Sequence, residues 1–156
     1  MDTNNSLGFT LHHLSFMLDR QSDLFLQDRF GIGFSQFKIL MALMRRTNVQ
    51  QRGIAEYLGQ TESSVSRQIQ SMVDDELVSS RRDSNDHRQR VTQLTTKGEK
   101  LARSSMAGLE KHYAPMFDTL SDKKQMELAE LLDSMRDYVS NNVKYGYWTK
   151  ARHKDD

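Results

Sequence analysis

Apolar residues recur along most of this chain at the spacing of helices. The first series returns every three or four positions and predicts a long helix over about residues 6–29: Leu7, Leu11, Leu14, Leu18 and Phe25. A break at residues 30–33 precedes a second, strongly apolar helix, which should be mostly buried and should end near Arg46. Gly33 can cap its start, with Gln36 three positions on for a capping-box contact. The polar link over residues 47–51 has room for one short strand.

Two shorter helices follow, over about residues 52–58 and 62–76, with a glycine-bearing turn between them. Ala55, Gly59 and Val65 have the spacing that two helices packed across a tight turn require. Ala55 is small where the helices cross, Gly59 can end the first helix, and Val65 can fill the angle. Thr61 can cap the second helix. The pattern indicates a helix-turn-helix, although an ordinary α-hairpin has the same spacing in many helical proteins.

The next segment predicts two strands, over residues 77–82 and 90–95, joined by a loop of turn formers and charged residues. Their alternation is imperfect, because Thr92 and Leu94 would point one way and Val91 the other. Together with the helices, these strands indicate a mainly α fold that carries a small β-hairpin wing.

Two more helices are expected after the hairpin. Thr96 to Glu99 form a capping box that opens the fifth, whose apolar positions are Leu101, Met106, Leu109 and Tyr113. Pro115, the only proline, either kinks or ends this helix. The sixth helix starts near Asp122, and its apolar positions are Leu128, Leu131, Leu132, Met135, Tyr138 and Val139.

Composition narrows the classes of protein that fit. With 156 residues, 37% hydrophobic and 28% charged, the chain has the length for one cored domain. No apolar run approaches membrane-spanning length and the N-terminus lacks the features of a signal peptide, so a cytoplasmic location is expected. The absence of cysteine excludes disulfides, thiolate metal ligands and cysteine redox switches. The net charge of +1 is only a weak objection to nucleic-acid binding, since the distribution of charge over one face matters more.

Helix, turn, helix and hairpin in this order make a winged helix, and from Phe34 through Leu101 the sequence resembles the MarR family of bacterial transcription regulators. The residues that carry the resemblance are Gln36 and Leu40, Ile54-Ala55 and Leu58, Ser63-Ser64-Val65-Ser66-Arg67, Leu77-Val78, Arg82, Asp86-x-Arg88, and Leu94-Thr95-x-x-Gly98. The resemblance implies a homodimer whose first, fifth and sixth helices interlock, with one winged helix on each side. As one domain of this kind, residues 1–156 comprise a winged-helix lobe over 33–98, a helical dimerisation lobe from 6–30 and 99–144, and a tail over 145–156.

Three positions depart from the family pattern. Ser84 stands where the wing usually has a proline, and His87 where an arginine is frequent, which can loosen the wing or weaken its contacts. A glycine frequently precedes the Leu-Val pair that here follows Glu76. This last departure indicates that the turn ending the fourth helix is built differently.

A recognition helix in the major groove reads base edges through its N-terminal residues. The candidates here are Gln60, Thr61, Ser63, Ser64, Ser66, Arg67 and Gln68. Arg67 is the favoured base contact because a guanidinium can engage guanine O6 and N7 together, whereas the serines suit phosphates or bridging waters. In the wing, Arg88 is expected to enter the minor groove with Arg82 and Arg90 beside it, while Asp86 holds its guanidinium by an ion pair.

The resemblance also implies a crevice between the dimer lobe and each winged helix, where family members often bind small anionic aromatic compounds. The candidate ligand residues are His12, His13 and Phe16 on the first helix and Met41, Met44 and Arg45 on the second. The alternative is that the Met and Phe side chains belong to the core and the paired histidines to the surface. His12, His13 and His112 show no ligand spacing, so no metal is expected.

The sequence thus predicts a DNA-binding transcriptional regulator, acting as a repressor that binds a palindromic operator as a homodimer and is released by a small-molecule ligand. A palindrome needs two recognition helices about 34 Å apart, which favours the dimer over a closed monomeric bundle. Two alternatives stay open: a non-specific architectural DNA-binding protein, and a helical protein-interaction module without DNA binding. No nucleophile elbow, phosphate loop or paired metal ligands occur, so neither an enzyme nor a cofactor is expected.

Overall fold

A computed structural model gives the fold and describes residues 3–83 and 90–142. The elements in that part of the chain are α1 Thr3–Phe30, α2 Phe34–Arg45, β1 Val49–Gln50, α3 Gln51–Leu58, α4 Glu62–Asp74, β2 Val78–Arg82, β3 Arg90–Leu94, α5 Thr96–Phe117 and α6 Asp122–Asn142. The mainly α fold with a small β-hairpin is therefore confirmed.

The three strands form one antiparallel sheet in the order β1-β3-β2, so β3 is the central strand. The short strand expected in the polar link is β1, which places Val49 opposite Thr92. In β3, Val91 and Thr92 are neighbours that point to opposite faces, and both are buried. Because both faces are covered at this point, the strand does not show the simple alternation of a half-exposed hairpin.

The core is built around α2, as its apolar pattern predicts. Ile39, Leu40 and Ala42 have no exposed surface. Against them pack apolar side chains from the neighbouring elements: Leu26 of α1, Ile54 of α3, Val65 and Met72 of α4, and Ala102 of α5. The second helix therefore fixes the position of the helix-turn-helix relative to α1 and α5.

The start of α2 is held by two capping contacts. The predicted capping box is present, since the Gly33 amide donates to the Gln36 side-chain oxygen at 3.1 Å. A second contact comes from α1, where a carboxylate oxygen of Asp23 accepts from the Phe34 amide at 2.8 Å. Because this carboxylate is eleven positions away in sequence, no local pattern indicated it.

The end of α4 differs from the predicted boundary. The helix ends at Asp74 rather than Glu76, and Glu76 itself adopts the left-handed conformation with φ of 60°. The Glu76 amide donates to the carbonyl of Val73 at 2.9 Å, and the Leu77 amide donates to that of Met72 at 2.8 Å. This closure usually employs glycine, so a glutamate here holds the conformation for which the family frequently uses a glycine.

The start of α5 also needs a correction. The N-cap is Thr95, not Thr96, because the Thr95 hydroxyl oxygen accepts from the Gly98 amide at 3.0 Å. The same hydroxyl donates to the Glu76 carbonyl at 2.6 Å, which ties the helix to the turn after α4. Gly98 packs so tightly that a Cβ built on it would lie 1.9 Å from the Leu77 carbonyl oxygen. The glycine is thus required by close approach of two backbones.

Two further details of α5 are settled by the structure. Pro115 does not end α5, which continues to Phe117. Of the predicted apolar positions, Met106 is 44% exposed and Leu109 is buried. The buried face also carries Ala102 and Ser105.

Large apolar side chains stay exposed along the two outer helices. On α1 they include Leu7, Phe9 and Phe16, and on α6 they include Met126, Leu131, Met135 and Tyr138. From Asp122 to Asn141, no residue of α6 is buried within the single chain. Across the described segments, no helix has both the length and the apolar character needed to traverse a lipid bilayer.

Candidate nucleic-acid interface

The turn that presents α4 has the predicted geometry. Gly59 ends α3 with φ of 63°, and the Gln60 amide donates to the Ala55 carbonyl at 3.0 Å. The Thr61 hydroxyl then caps α4 by accepting from the Ser64 amide at 3.2 Å. Ala55 and Val65 are buried where the two helices meet. The spacing read from the sequence is thus confirmed as a helix-turn-helix.

The outer face of α4 leaves several polar side chains exposed near its start. Ser63, Ser66 and Arg67 are exposed. Within the described segments, no hydrogen bond or ion pair involves the Arg67 guanidinium. All five of its N–H donors therefore remain available to an external acceptor.

Two of the predicted base-reading residues are turned toward the protein. The Gln60 amide nitrogen donates to the Ser35 hydroxyl at 2.8 Å, and the Gln68 amide nitrogen donates to the Gln60 side-chain oxygen at 2.8 Å. Gln68 also lies 3.4 Å from the Ser64 hydroxyl. These contacts form a Ser35–Gln60–Gln68 chain that joins α4 to the first turn of α2. Gln60 and Gln68 are half-exposed, and in this arrangement the side-chain nitrogens of both donate to protein groups.

The arginines on the two wing strands differ in how they are held. Arg81 donates to the Asn48 side-chain oxygen at 3.1 Å, and Arg90 donates to the Ser80 hydroxyl at 3.2 Å. Arg82 is exposed, and no contact of its guanidinium occurs among the described residues. The strands thus carry three arginines to the edge of the loop. The predicted wing residues Asp86 and Arg88 lie outside the described residues.

The six predicted ligand residues are not grouped around one cavity. His12, His13 and Phe16 are exposed on the first half of α1, Met41 and Met44 are half-buried against the core, and Arg45 is exposed. An open cavity of about 560 Å³ lies instead where α1, the first turn of α2, α5 and the start of α6 meet. None of the six lines it, so their role stays a prediction.

The histidines show no metal-binding arrangement in the described part of the chain. There, no three His, Asp or Glu side chains converge to hold an ion. The His112 ring instead stacks on Phe25, with centroids 4.4 Å apart, and the His13 ring stacks on Phe9 at 6.0 Å.

Comparison with known proteins shows which family this chain is similar to. A model of the MarR family matches residues 30–89, which cover the end of α1, the helix-turn-helix and the first strand of the hairpin. A solved MarR transcriptional regulator from Methanosarcina mazei Go1 is 26% identical, with a TM-score of 0.76 over 86% of this chain and 96% of that one. The chain is thus similar to MarR-family regulators in this region, and it shares their fold.

Other solved structures share the fold at lower identity. The transcriptional regulator BldR from Sulfolobus solfataricus is 19% identical, with a TM-score of 0.78 over 90% of this chain and 96% of that one. MarR from E. coli, in its apo form, is 20% identical, with a TM-score of 0.76 over 83% and 95%. Among curated protein sequences, none matches this chain. The chain thus has the winged-helix fold of MarR-type transcriptional regulators.

Sequence patterns did not predict the contacts that hold α4 and its neighbouring elements in place. Asp23, Ser35 and Thr95 each bond to a backbone or side-chain group that lies at least eleven positions away. Their polar side chains are ordinary residues of helix ends, and nothing in local spacing distinguishes them from surface residues. The exposed apolar positions of α6, in contrast, follow a helical spacing that the sequence alone shows.

Proposed function

We propose that this protein is a homodimeric repressor of the MarR type, with α4 as its recognition helix, that acts in the cytoplasm, binds an inverted-repeat operator and is released by a small-molecule ligand. The observation that carries the proposal is Arg67, exposed and without a partner among the described residues, beside Ser63 and Ser66 on the capped start of α4. A guanidinium at this position can bind guanine O6 and N7 in the major groove. On this proposal the protein acts by binding DNA through ion pairs and hydrogen bonds and catalyses no reaction.

Charge on the hairpin supports a second contact with DNA. Arg82 is free among the described residues, and Arg90 is held by Ser80 so that it stays at the base of the loop. We assign Arg88, beyond the described part, to the minor groove and Asp86 to its guanidinium. The acidic stretch Asp74 to Glu76, at the far end of α4, begins about two turns beyond Arg67, roughly 10 Å along the helix axis, and this distance weakens its repulsion of phosphates near Arg67.

The exposed apolar side chains of the outer helices, α1 and α6, support association with a second copy. Leu131 and Met135 of α6 and Phe9 of α1 are large apolar side chains that stay exposed, and exposed apolar surface on this scale marks an interaction site. Two copies related by a twofold axis would bury it and carry two recognition helices. We therefore assign 33–98 to the DNA-reading lobe, 6–30 and 99–144 to dimerisation, and 145–156 to a tail.

Selection of bound DNA from a random pool tests the proposal. An enriched inverted repeat is the expected outcome, and Arg67→Ala should weaken binding to it by about 1–3 kcal/mol per half-site. Arg88→Ala should also weaken binding without lowering the melting temperature. Arg103→Ala is the control, because Arg103 is an exposed arginine paired with Glu99 on α5. Salt-dependent binding without any enriched sequence would replace the proposal by a non-specific architectural DNA binder, and no binding at all would leave a protein-interaction module.

A further inference from the structure

One exposed glutamine of α4 lies beyond the residues that the sequence predicts as base contacts. Gln70 stands one turn after Ser66 and Arg67, so the exposed positions Ser63, Ser66, Arg67 and Gln70 have the spacing i, i+3, i+4, i+7. This spacing forms one face of a helix, and helices that lie along the major groove contact base edges through such a face. The polar face of α4 therefore extends a full turn past Arg67.

Gln70 is directed away from the core of the protein. The buried face of α4 carries Val65, Ile69 and Met72. Because each residue of a helix turns by about 100°, Gln70 lies roughly 130° around the helix from the middle of that face and roughly 60° from Arg67. A groove that receives the Arg67 side chain thus receives Gln70 as well.

The amide of Gln70 is oriented by a residue one turn further on. Its side-chain nitrogen donates to a carboxylate oxygen of Asp74 at 2.9 Å. An ionised carboxylate only accepts hydrogen bonds, so the amide has to turn its nitrogen toward Asp74. Within the described segments, no hydrogen bond involves the Gln70 side-chain oxygen. That oxygen and the second N–H of the amide are both available to an external partner.

An amide that offers one acceptor and one donor matches adenine. In the major groove adenine presents a donor, N6, beside an acceptor, N7, so the glutamine oxygen and N–H can bind both at once. Guanine presents two acceptors there, O6 and N7, and the glutamine oxygen would face one of them. Arg67 has donors only and suits guanine. The two side chains therefore differ in the purine that they can read.

Arg67 and Gln70 are close enough to read neighbouring base pairs. Three residues of helix advance about 4.5 Å along the axis, and successive bases of one strand are about 3.4 Å apart. The bases that they contact are therefore expected roughly one or two steps apart in the same half-site.

We propose that Gln70 is a specificity-determining residue of α4 that reads adenine, and that Asp74 is the positioning residue that orients its amide. Each half-site then carries a guanine bound by Arg67 and an adenine bound by Gln70. This inference rests on the proposed function, because it needs α4 in the major groove. It also gives the first acidic residue at the end of α4 a role in reading DNA.

Selection of bound duplexes from a pool with a random core, at fixed salt concentration, tests the assignment in the full chain. The wild type should enrich an inverted repeat in which one position of each half-site prefers adenine roughly 5- to 150-fold, the discrimination that one bidentate pair gives. Gln70→Ala should abolish this preference and leave the guanine position unchanged. Gln70→Glu should move the preference to cytosine, because a carboxylate accepts from cytosine N4. A merely structural role of Gln70 would not change which base is preferred.

Asp74→Ala separates the positioning of the amide from DNA affinity. The freed amide should lower the adenine preference severalfold, while total DNA affinity should not fall, because a negative charge near the phosphates is removed. Gln27→Ala is the matched control. Gln27 is an exposed glutamine of α1 whose side-chain nitrogen donates to Asp23, also four positions away, at 2.7 Å, and its loss should change no base preference.

The outcomes distinguish this assignment from the proposed function. If the wild type enriches an inverted repeat but no base preference changes in Gln70→Ala, the proposed function stands and the assignment is wrong. The pair with Asp74 would then be a helix-stabilising contact only. An adenine preference in Asp74→Ala equal to that of the wild type would overturn the positioning role. If the wild type enriches no sequence, the proposed function fails, and the assignment fails with it.

Discussion

Replacement of Glu76 by glycine should stabilise this protein. Glu76 adopts φ of 60° in the turn between α4 and β2, and this conformation costs a non-glycine residue about 1–2 kcal/mol. Relief of this cost is offset by roughly 0.5–1 kcal/mol, because glycine loses more backbone entropy on folding than other residues do. The variant also gives up an ion pair with Lys97 at 3.6 Å, whose side chains are 60% and 82% exposed, so its loss costs only a few tenths of a kcal/mol.

The expected net gain for Glu76→Gly is about 0.2–0.7 kcal/mol, or a rise in melting temperature of roughly 0.5–3 °C for a chain of this length. The measurement is thermal and urea unfolding at fixed protein concentration, since association of copies also shifts the midpoint. Glu76→Ala is the matched control, because it loses the same ion pair and keeps the Cβ that makes the conformation costly. If the glycine variant is no more stable than the alanine variant, backbone strain at this turn is not what the geometry indicates.

Three further predictions concern close packing, association and the support of α4. Gly98→Ala should lower the free energy of unfolding by about 1–3 kcal/mol, since its new Cβ meets a carbonyl oxygen at 1.9 Å. Gly8→Ala is the control and should not destabilise the protein, because a Cβ at Gly8 has nothing within 4 Å. Equal effects of the two variants in urea unfolding would contradict this prediction. Leu131→Asp should shift sedimentation from dimer to monomer, because a charge would enter the apolar face, and an unchanged dimer would refute that face as the interface. Gln60→Ala should weaken operator binding severalfold in anisotropy titrations, and a double-mutant cycle with Ser35→Ala should show non-additive losses; additive losses would mean that the two side chains act independently.

Local signals in the sequence predicted most of the fold. Gly59, Thr61 and Val65 are each required by the geometry of one turn, so their spacing identifies that turn without knowledge of the rest of the chain. The apolar series of the second helix likewise predicts burial, because a helix that is apolar on most sides has to be surrounded. Both features depend on neighbours within about ten positions.

The errors occur where a distant contact decides the local structure. Thr95, rather than Thr96, caps α5 because its hydroxyl also reaches the Glu76 carbonyl across the sheet edge. Glu76 ends α4 early in a conformation suited to glycine, and Leu77 after it places its carbonyl against Gly98, whose missing Cβ makes room. The position of Gln60 and Gln68 at the start of α4 predicts base contacts, which stay a prediction, and in the structure the side-chain nitrogens of both donate to protein groups. Position along a helix predicts which turn a side chain occupies, and not which neighbour it meets.

The first turn of α2 is the place where the two halves of the molecule meet. On one side, Asp23 of α1 accepts from the Phe34 amide at 2.8 Å, and on the other, Ser35 accepts from Gln60 at 2.8 Å. Thus α1, which carries exposed apolar side chains, and α4, the proposed recognition helix, are bonded to successive residues of one turn. Because close-packed elements move as units rather than deform continuously, a shift of this turn against α1 has to move α4 with it. In the proposed dimer, such a shift changes the separation of the two recognition helices, and DNA with half-sites one turn apart accepts only a narrow range of separations.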